Sequence, residues 1–268
     1  MIELGFNICA PTDAVDTDFS GAVRVLGELG IEWCELRQID GKRPTELTAA
    51  EHHDVVSVLH DAGVSVAMVA STVGQVDLDT DFGLQLNLLR RQIDVAKTFD
   101  AVRLCVTPFL VDDHEMQEHR SEVLDRFEQF AAIAESSNVI LLVENVPGTY
   151  CQSTHLLGDL LASLNSSYVR AILNPAYLVA QHRHPFLASF SSGPLKRHVE
   201  VIRMRDALFE GGRTVMPDQG NAELRELVSA AAAREFAGFL SVDPGLDATP
   251  EVFRQSHQAV RDMLDGLF

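Results

Sequence analysis

Glu144 ends the apolar run Val139-Ile-Leu-Leu-Val143, and Asp243 ends Phe239-Leu-Ser-Val242. An ionised carboxyl at the end of such a run is costly unless it is used in chemistry or paired. More charge sits at the ends of neighbouring apolar runs: Glu35 and Arg37 in one, and Arg203, Arg205 and Asp206 in another. Asn7, Ser71, Thr107, Asn145 and Asn174 are the neutral polar residues in corresponding places. If these residues share one cavity, the like charges need a metal ion or cations to coexist, and their pKa values shift. Each also has a plainer reading. Glu144 could be half of a buried salt bridge, and Asp243 a helix cap before Pro244-Gly245. The arginines could compensate Glu144, Asp206 and Glu35, and Glu35 with Arg37 could be a rim ion pair.

The elements that would carry these residues alternate along the chain. Short apolar runs occur at Leu4–Ile8, Trp33–Leu36, Val64–Val69, Val102–Val106, Val139–Val143, Val169–Leu173, Val199–Met204 and Phe239–Val242. They are nearly continuous hydrophobes, the pattern of parallel strands buried on both faces. Between them helical spacing predicts Phe19–Leu29, a helix opened by the capping box Thr48-Ala-Ala-Glu51, Asp81–Phe99, His114–Glu135, Thr154–Leu164, Pro185–Phe190, Asn221–Glu235 and Thr249–Leu267. Eight strand–helix units with short links favour a single (β/α)8 TIM barrel over residues 1–268, because an open doubly wound sheet usually uses fewer strands. Function in such barrels collects at the C-terminal ends of the strands, where the residues above lie.

Composition narrows the partners. Asp plus Glu total 39 against 21 Lys plus Arg, giving a formal net charge of −18. That envelope repels phosphate backbones and speaks against a nucleic-acid partner. The four cysteines, Cys9, Cys34, Cys105 and Cys151, form no Cys-x-x-Cys pair, which fits a reducing cytoplasm. No apolar stretch is long enough for a membrane span, and no signal peptide is expected. Neither Gly-x-Gly-x-x-Gly nor Gly-x-x-x-x-Gly-Lys occurs. Cys105 reads as core, and Trp33 as packing between barrel and helix. His182 and His184 read as solvated loop residues, and His52, His53, His60, His114 and His119 as surface groups on helices.

Several motifs, in order and at the right spacing, resemble the xylose-isomerase-like superfamily of sugar isomerases and epimerases. These are Gly30-Ile-Glu-Trp-Cys-Glu35-Leu-Arg37, Leu142-Val-Glu144-Asn145, Asn174-Pro175-Ala-Tyr177 with His184-Pro185, Val201-Ile-Arg203-Met-Arg205-Asp206, Pro217-Asp-Gln-Gly220 and Gly238-Phe-Leu-Ser-Val-Asp243. The resemblance implies a TIM barrel whose strands five to eight supply Glu, Asp, His and Glu to a divalent metal. Here those positions hold Glu144, Asn174, Arg203 and Asp243, and Tyr177 stands where a further histidine is usual. Asn174 offers a neutral oxygen, and the guanidinium of Arg203 cannot ligate a metal.

Two outcomes are open. A weakly held Mn²⁺ or Mg²⁺ could shift towards Glu144, Asp206 and Asp243 with Asn174, or no cofactor is bound and Arg203 supplies the positive charge itself. The second is favoured, since an arginine beside a divalent ion is repelled. The resemblance further implies Glu144 and Asp243 as an acid/base pair acting beside a carbonyl. Glu35, Arg37, Asn174, Arg203, Arg205 and Asp206 would bind a small sugar or polyol-derived substrate. The alternative is a non-catalytic binding descendant of the fold. Apurinic-site endonuclease activity, which needs a histidine-rich zinc cluster, is disfavoured, and a homo-oligomer is compatible with the sequence.

Overall fold

The computed structural model describes residues 6–191 and 193–267. Its strands are β1 (Asn7–Pro11), β2 (Trp33–Leu36), β3 (Ser65–Ala70), β4 (Arg103–Val106), β5 (Ile140–Glu144), β6 (Val169–Leu173), β7 (Val199–Arg203), β8 (Asp206–Ala207), β9 (Thr214–Val215) and β10 (Phe239–Ser241). Eight of them close into a parallel barrel in the order β1-β10-β7-β6-β5-β4-β3-β2, and β8 with β9 makes a small hairpin in the loop after β7. β1 pairs with both β2 and β10, so the barrel has no free edge.

The helices are α1 (Thr12–Val15), α2 (Phe19–Glu28), α3 (Ala49–Asp61), α4 (Phe82–Thr98), α5 (Arg120–Ser137), α6 (Thr154–Leu164), α7 (Pro175–Ala180), α8 (Leu224–Ala232) and α9 (Pro250–Asp265). Local chemistry sets their ends. The Thr48 Oγ1 accepts from the Glu51 N–H at 3.3 Å while the Glu51 carboxylate accepts from the Thr48 N–H at 2.8 Å, the predicted capping box of α3. At α9 the Thr249 Oγ1 accepts from the Val252 N–H at 3.3 Å, with Pro250 at the first helical position. Among the described residues no helix is long and apolar enough to cross a membrane.

Three expectations shift. The first strand runs Asn7–Pro11 and not Leu4–Ile8; Leu4 and Gly5 lie outside the described residues. Asn7 is therefore exposed at the start of β1, at the end of the barrel away from the active-site loops. α5 begins at Arg120 and not His114, because residues 112–119 carry one apolar side chain, Met116, and cannot build a buried stripe before Val123. After β6 the main helix is α7, started by Pro175 directly after Asn174, whereas the expected Pro185–Phe190 helix is a short turn that becomes π-helical over Leu187–Ser191.

The core has two shells. Phe82, Phe109, Phe127 and Phe130 pack edge-on and stacked between helices and barrel, with ring centroids 5.3–6.3 Å apart. Inside the barrel, Cys9, Ala67, Met68, Leu142, Ile172, Val201 and Phe239 fill the lumen, joined by Trp33, Cys105 and Ile140. Trp33 thus faces inward, edge-on to Phe239 at 5.7 Å, and is not a barrel–helix filler. Side chains two apart on a strand share a face. Leu142 and Val201 in the lumen therefore dictate that Glu144 and Arg203 sit one level above them, and Phe239 does the same for Ser241.

Candidate active site

That upper level is polar, and Arg203 is its centre. The side chain is only 3 % exposed. Its Nη1 donates to Glu35 Oε2 and, at 2.9 Å, to Ser241 Oγ; its Nη2 donates to Glu35 Oε1 at 3.0 Å and to Glu144 Oε2 at 3.3 Å. Glu35 from β2 and Arg203 from β7 thus form a bidentate fork across the lumen, the strongest geometry for this pair. Burial alone would lower the guanidinium pKa, but Glu35 and Glu144 outweigh it and hold the group firmly protonated. The Nε of Arg203 is buried and has no hydrogen-bond partner among the described residues.

Glu144 is more open, with 19 % of its side chain exposed. Besides Arg203 it accepts from Asn174 Nδ2 at 2.8 Å. Asn174 is fixed from behind by Asn145, whose Oδ1 accepts from the Asn174 N–H at 2.7 Å and whose Nδ2 donates to the Asn174 carbonyl at 3.0 Å. The remaining Oδ1 of Asn174 is buried without a partner among the described residues. Flipping the amide would set that oxygen against the Glu144 carboxylate, so an acceptor is left for an incoming donor.

Asp243 lies two residues beyond β10 and is 3 % exposed. Arg37 Nη1 donates to its Oδ2 at 2.9 Å, and Arg205 Nη2 to its Oδ1 at 2.9 Å. Arg37 is held in turn by Asp13 on α1 at 2.9 Å. Burial raises the Asp243 carboxyl, but Arg37, Arg203 and Arg205 together pull it down to about 2. This setting argues against Asp243 as a proton carrier, the role the resemblance implied. Asp206 departs further from expectation: its Oδ1 accepts from the Ala207 and Ala222 N–H groups at 2.8 and 2.9 Å, and its Oδ2 from Gly220 N–H at 2.8 Å. It staples the 216–222 loop instead of offering oxygens to a ligand. A Cβ on Gly220 would lie 2.3 Å from that carboxylate, which is why the loop needs glycine there.

Two residues of this constellation, Ser241 and Asp13, escaped the sequence reading, and Tyr177 stood in it only where a further histidine is usual. Ser241 was findable from strand alternation, since it pairs in register with Arg203. Asp13 was hidden by the misplaced first strand. Tyr177, half-buried in the first turn of α7, has its ring 6.0 Å from the guanidinium carbon of Arg205. Ser71 donates to the Cys105 carbonyl at 2.5 Å and links β3 to β4. His184 is exposed and bonds Glu223 at 3.1 Å. Burial drives the Cys105 thiol pKa well up, which fits a core role.

A family model described as a xylose isomerase-like TIM barrel matches residues 23–263. Among solved structures, the IOLI protein with a binding zinc atom aligns with a TM-score of 0.82 at 16 % identity, over 98 % of this chain and 99 % of that one. A D-tagatose 3-epimerase-like protein aligns at 0.77 and 12 % identity, over 98 % of each chain. The probable 3-DHS dehydratase AsbF of Bacillus anthracis aligns at 0.74 and 13 % identity, over 97 % and 99 %. At these identities the likeness establishes the fold. No curated protein matches the sequence.

Whether this mouth suits a zinc- or magnesium-type ion is decided by its donors. Arg203 already lies between Glu35 and Glu144, Asn174 turns its amide nitrogen and not its oxygen to Glu144, and both Asp243 oxygens are taken by arginines. The set does not fit a divalent cation. Among the described residues, the one compact trio of ligand-type side chains is Asp112, His114 and Glu115 in the loop after β4, where Asp112 and His114 are exposed.

Proposed function

We infer that this chain, which belongs to the xylose isomerase-like TIM barrel family, moves a proton at a carbon beside the carbonyl of a small polyhydroxylated compound. The observation that carries this reading is an open carboxylate, Glu144, held against a buried, permanently charged guanidinium at the mouth of the barrel. Glu144 takes the proton, and the C–H electron pair moves towards the carbonyl oxygen. The negative charge that develops on that oxygen in the transition state is stabilised by Arg203, which is preorganised by Glu35 and Ser241 in a water-poor setting. No metal is called for in this step, because the arginine stands where the cation is needed.

The substrate class has its own support. The buried Asn174 Oδ1 lacks a donor and the Arg203 Nε an acceptor, and a hydroxyl can serve either. Arg37 and Arg205, locked on Asp243, form a fixed cationic wall that orients further substrate oxygens. In this arrangement Asp243 orients the arginines and is not the second base. An epimerase-like and a dehydratase structure among the neighbours agree with chemistry that starts by α-proton removal. The net charge of −18 favours a small molecule over nucleic acid.

Solvent deuterium uptake into a panel of ketoses and keto-inositols, followed by NMR, tests the reading. Wild-type protein should exchange the α-hydrogen of at least one compound, and Glu144→Gln should abolish that exchange. Exchange that survives Glu144→Gln refutes the base assignment. A second reading, a binding protein, is favoured by the complete pairing of Glu35 and Asp243 with arginines; compounds that bind without any exchange would establish it.

A further inference from the structure

An α-proton transfer needs a second proton-handling group, because the oxygen that gains the electron pair is best protonated as it does so. The mouth offers few candidates. Glu35 has both oxygens on Arg203 and is 1 % exposed. Asp243 is ionised between two arginines, and Asp206 is saturated by backbone N–H groups. The arginines do not release protons.

Tyr177 remains. It lies three residues after Asn174, whose amide holds Glu144 at 2.8 Å, and its ring is 6.0 Å from the Arg205 guanidinium that bonds Asp243 at 2.9 Å. Asn174, the N-cap residue of α7, thus fixes the start of the tyrosine's helix on the Glu144 side, and the tyrosine ring lies towards the Arg205 side. Its hydroxyl has no hydrogen bond to another described residue. Burial and the Glu144 charge push the phenol pKa up while Arg205 opposes them, so the group is a neutral donor at ordinary pH.

We propose that Tyr177 is the acid of the reaction, donating its phenolic proton to the substrate oxygen while Glu144 removes the proton from the adjacent carbon. This rests on the function proposed above. As the C–H bond breaks, its electron pair forms the carbon–carbon double bond, and the carbonyl π pair moves onto oxygen and binds the tyrosine proton. The products of the step are a neutral enediol, a protonated Glu144 and a phenolate beside Arg205. In the second half, the phenolate takes a proton from an enediol hydroxyl as Glu144 returns one to carbon, and both side chains are reset.

The test uses Tyr177→Phe and Tyr177→His in the full-length protein, with thermal melts to verify folding. Tyr177→Phe should lower kcat for exchange about 100-fold or more with little change in KM, as expected for loss of a positioned acid. It should also change the solvent isotope effect on kcat, and Tyr177→His should recover part of the rate. Phe within threefold of wild type, with the same isotope effect, overturns the proposal and leaves the Glu144 reading standing. A rise in KM at constant kcat also overturns it, by making Tyr177 a binding contact only. Absence of exchange by wild-type protein across the panel removes the parent reading and this inference together.

Discussion

At the scale of the residue, Arg203 governs the site. A buried ion pair contributes little net stability when intact, but leaving one partner alone is expensive, roughly 3–5 kcal/mol. Arg203→Met strands Glu35 and should destabilise the protein by about that amount in urea unfolding. Lysine at the same position should recover little, because it lacks the planar fork that meets both Glu35 oxygens. Replacing both partners, Glu35→Gln with Arg203→Met, should cost less than the single Arg203→Met change; an equal or greater loss would contradict this account. Asp243 adds a pH signature. Its carboxyl is lowered from 3.8 to about 2 in the folded protein, so its contribution is complete above pH about 4 and is lost as pH falls towards 2. The amount is on the order of 2 kcal/mol. Asp243→Asn should flatten the acid limb of stability over that window, and an unchanged limb would disprove the pairing.

At the scale of the element, the loops after the strands do the positioning, and close backbone contacts set their course. Gly74, in the loop after β3, has φ +75°, and a Cβ there would lie 1.9 Å from the Thr107 carbonyl oxygen in the loop after β4. Both conformation and space demand glycine. Gly74→Ala should therefore cost more than about 3 kcal/mol, at the upper end of single substitutions. A melt within a few degrees of wild type would show that the two loops can part. The loop after β7 depends in the same way on Asp206 and Gly220, a backbone staple that keeps Arg205 facing Asp243 without itself touching the chemistry.

At the scale of the whole molecule, barrel closure through β1 and β10 brings Asp243 within reach of Arg37, 206 residues away in sequence. The same closure sets the Arg203 guanidinium between Glu35 and Glu144. Purified protein dialysed and then given Mn²⁺ should hold no stoichiometric ion at the mouth. An ion bound at a hundredfold its Kd would raise stability by about 2.7 kcal/mol, so thermal melts with and without Mn²⁺ or a chelator should coincide. Stoichiometric metal that disappears in Glu144→Ala would refute the arginine arrangement.

The eightfold alternation, the helix caps at Thr48 and Thr249 and the identity of the strand-ending residues were legible in the chain, because hydrophobic period and capping chemistry are local. Glu35, Arg37, Glu144, Asn174, Arg203 and Asp243 are legible from the sequence alone as polar ends of apolar strands. Their pairing is not. Arg203 meets Glu35 across 168 residues, and Asp206, also charged and only three positions further along, turns to backbone N–H groups instead. Asn7 was misplaced and Asp13 overlooked for the same reason, since moving β1 by three residues exchanges one end of the barrel for the other. Sequence determines which residues carry charge and how often they recur. Only the closed barrel decides which charges meet, because strand register and side-chain direction follow from long-range packing.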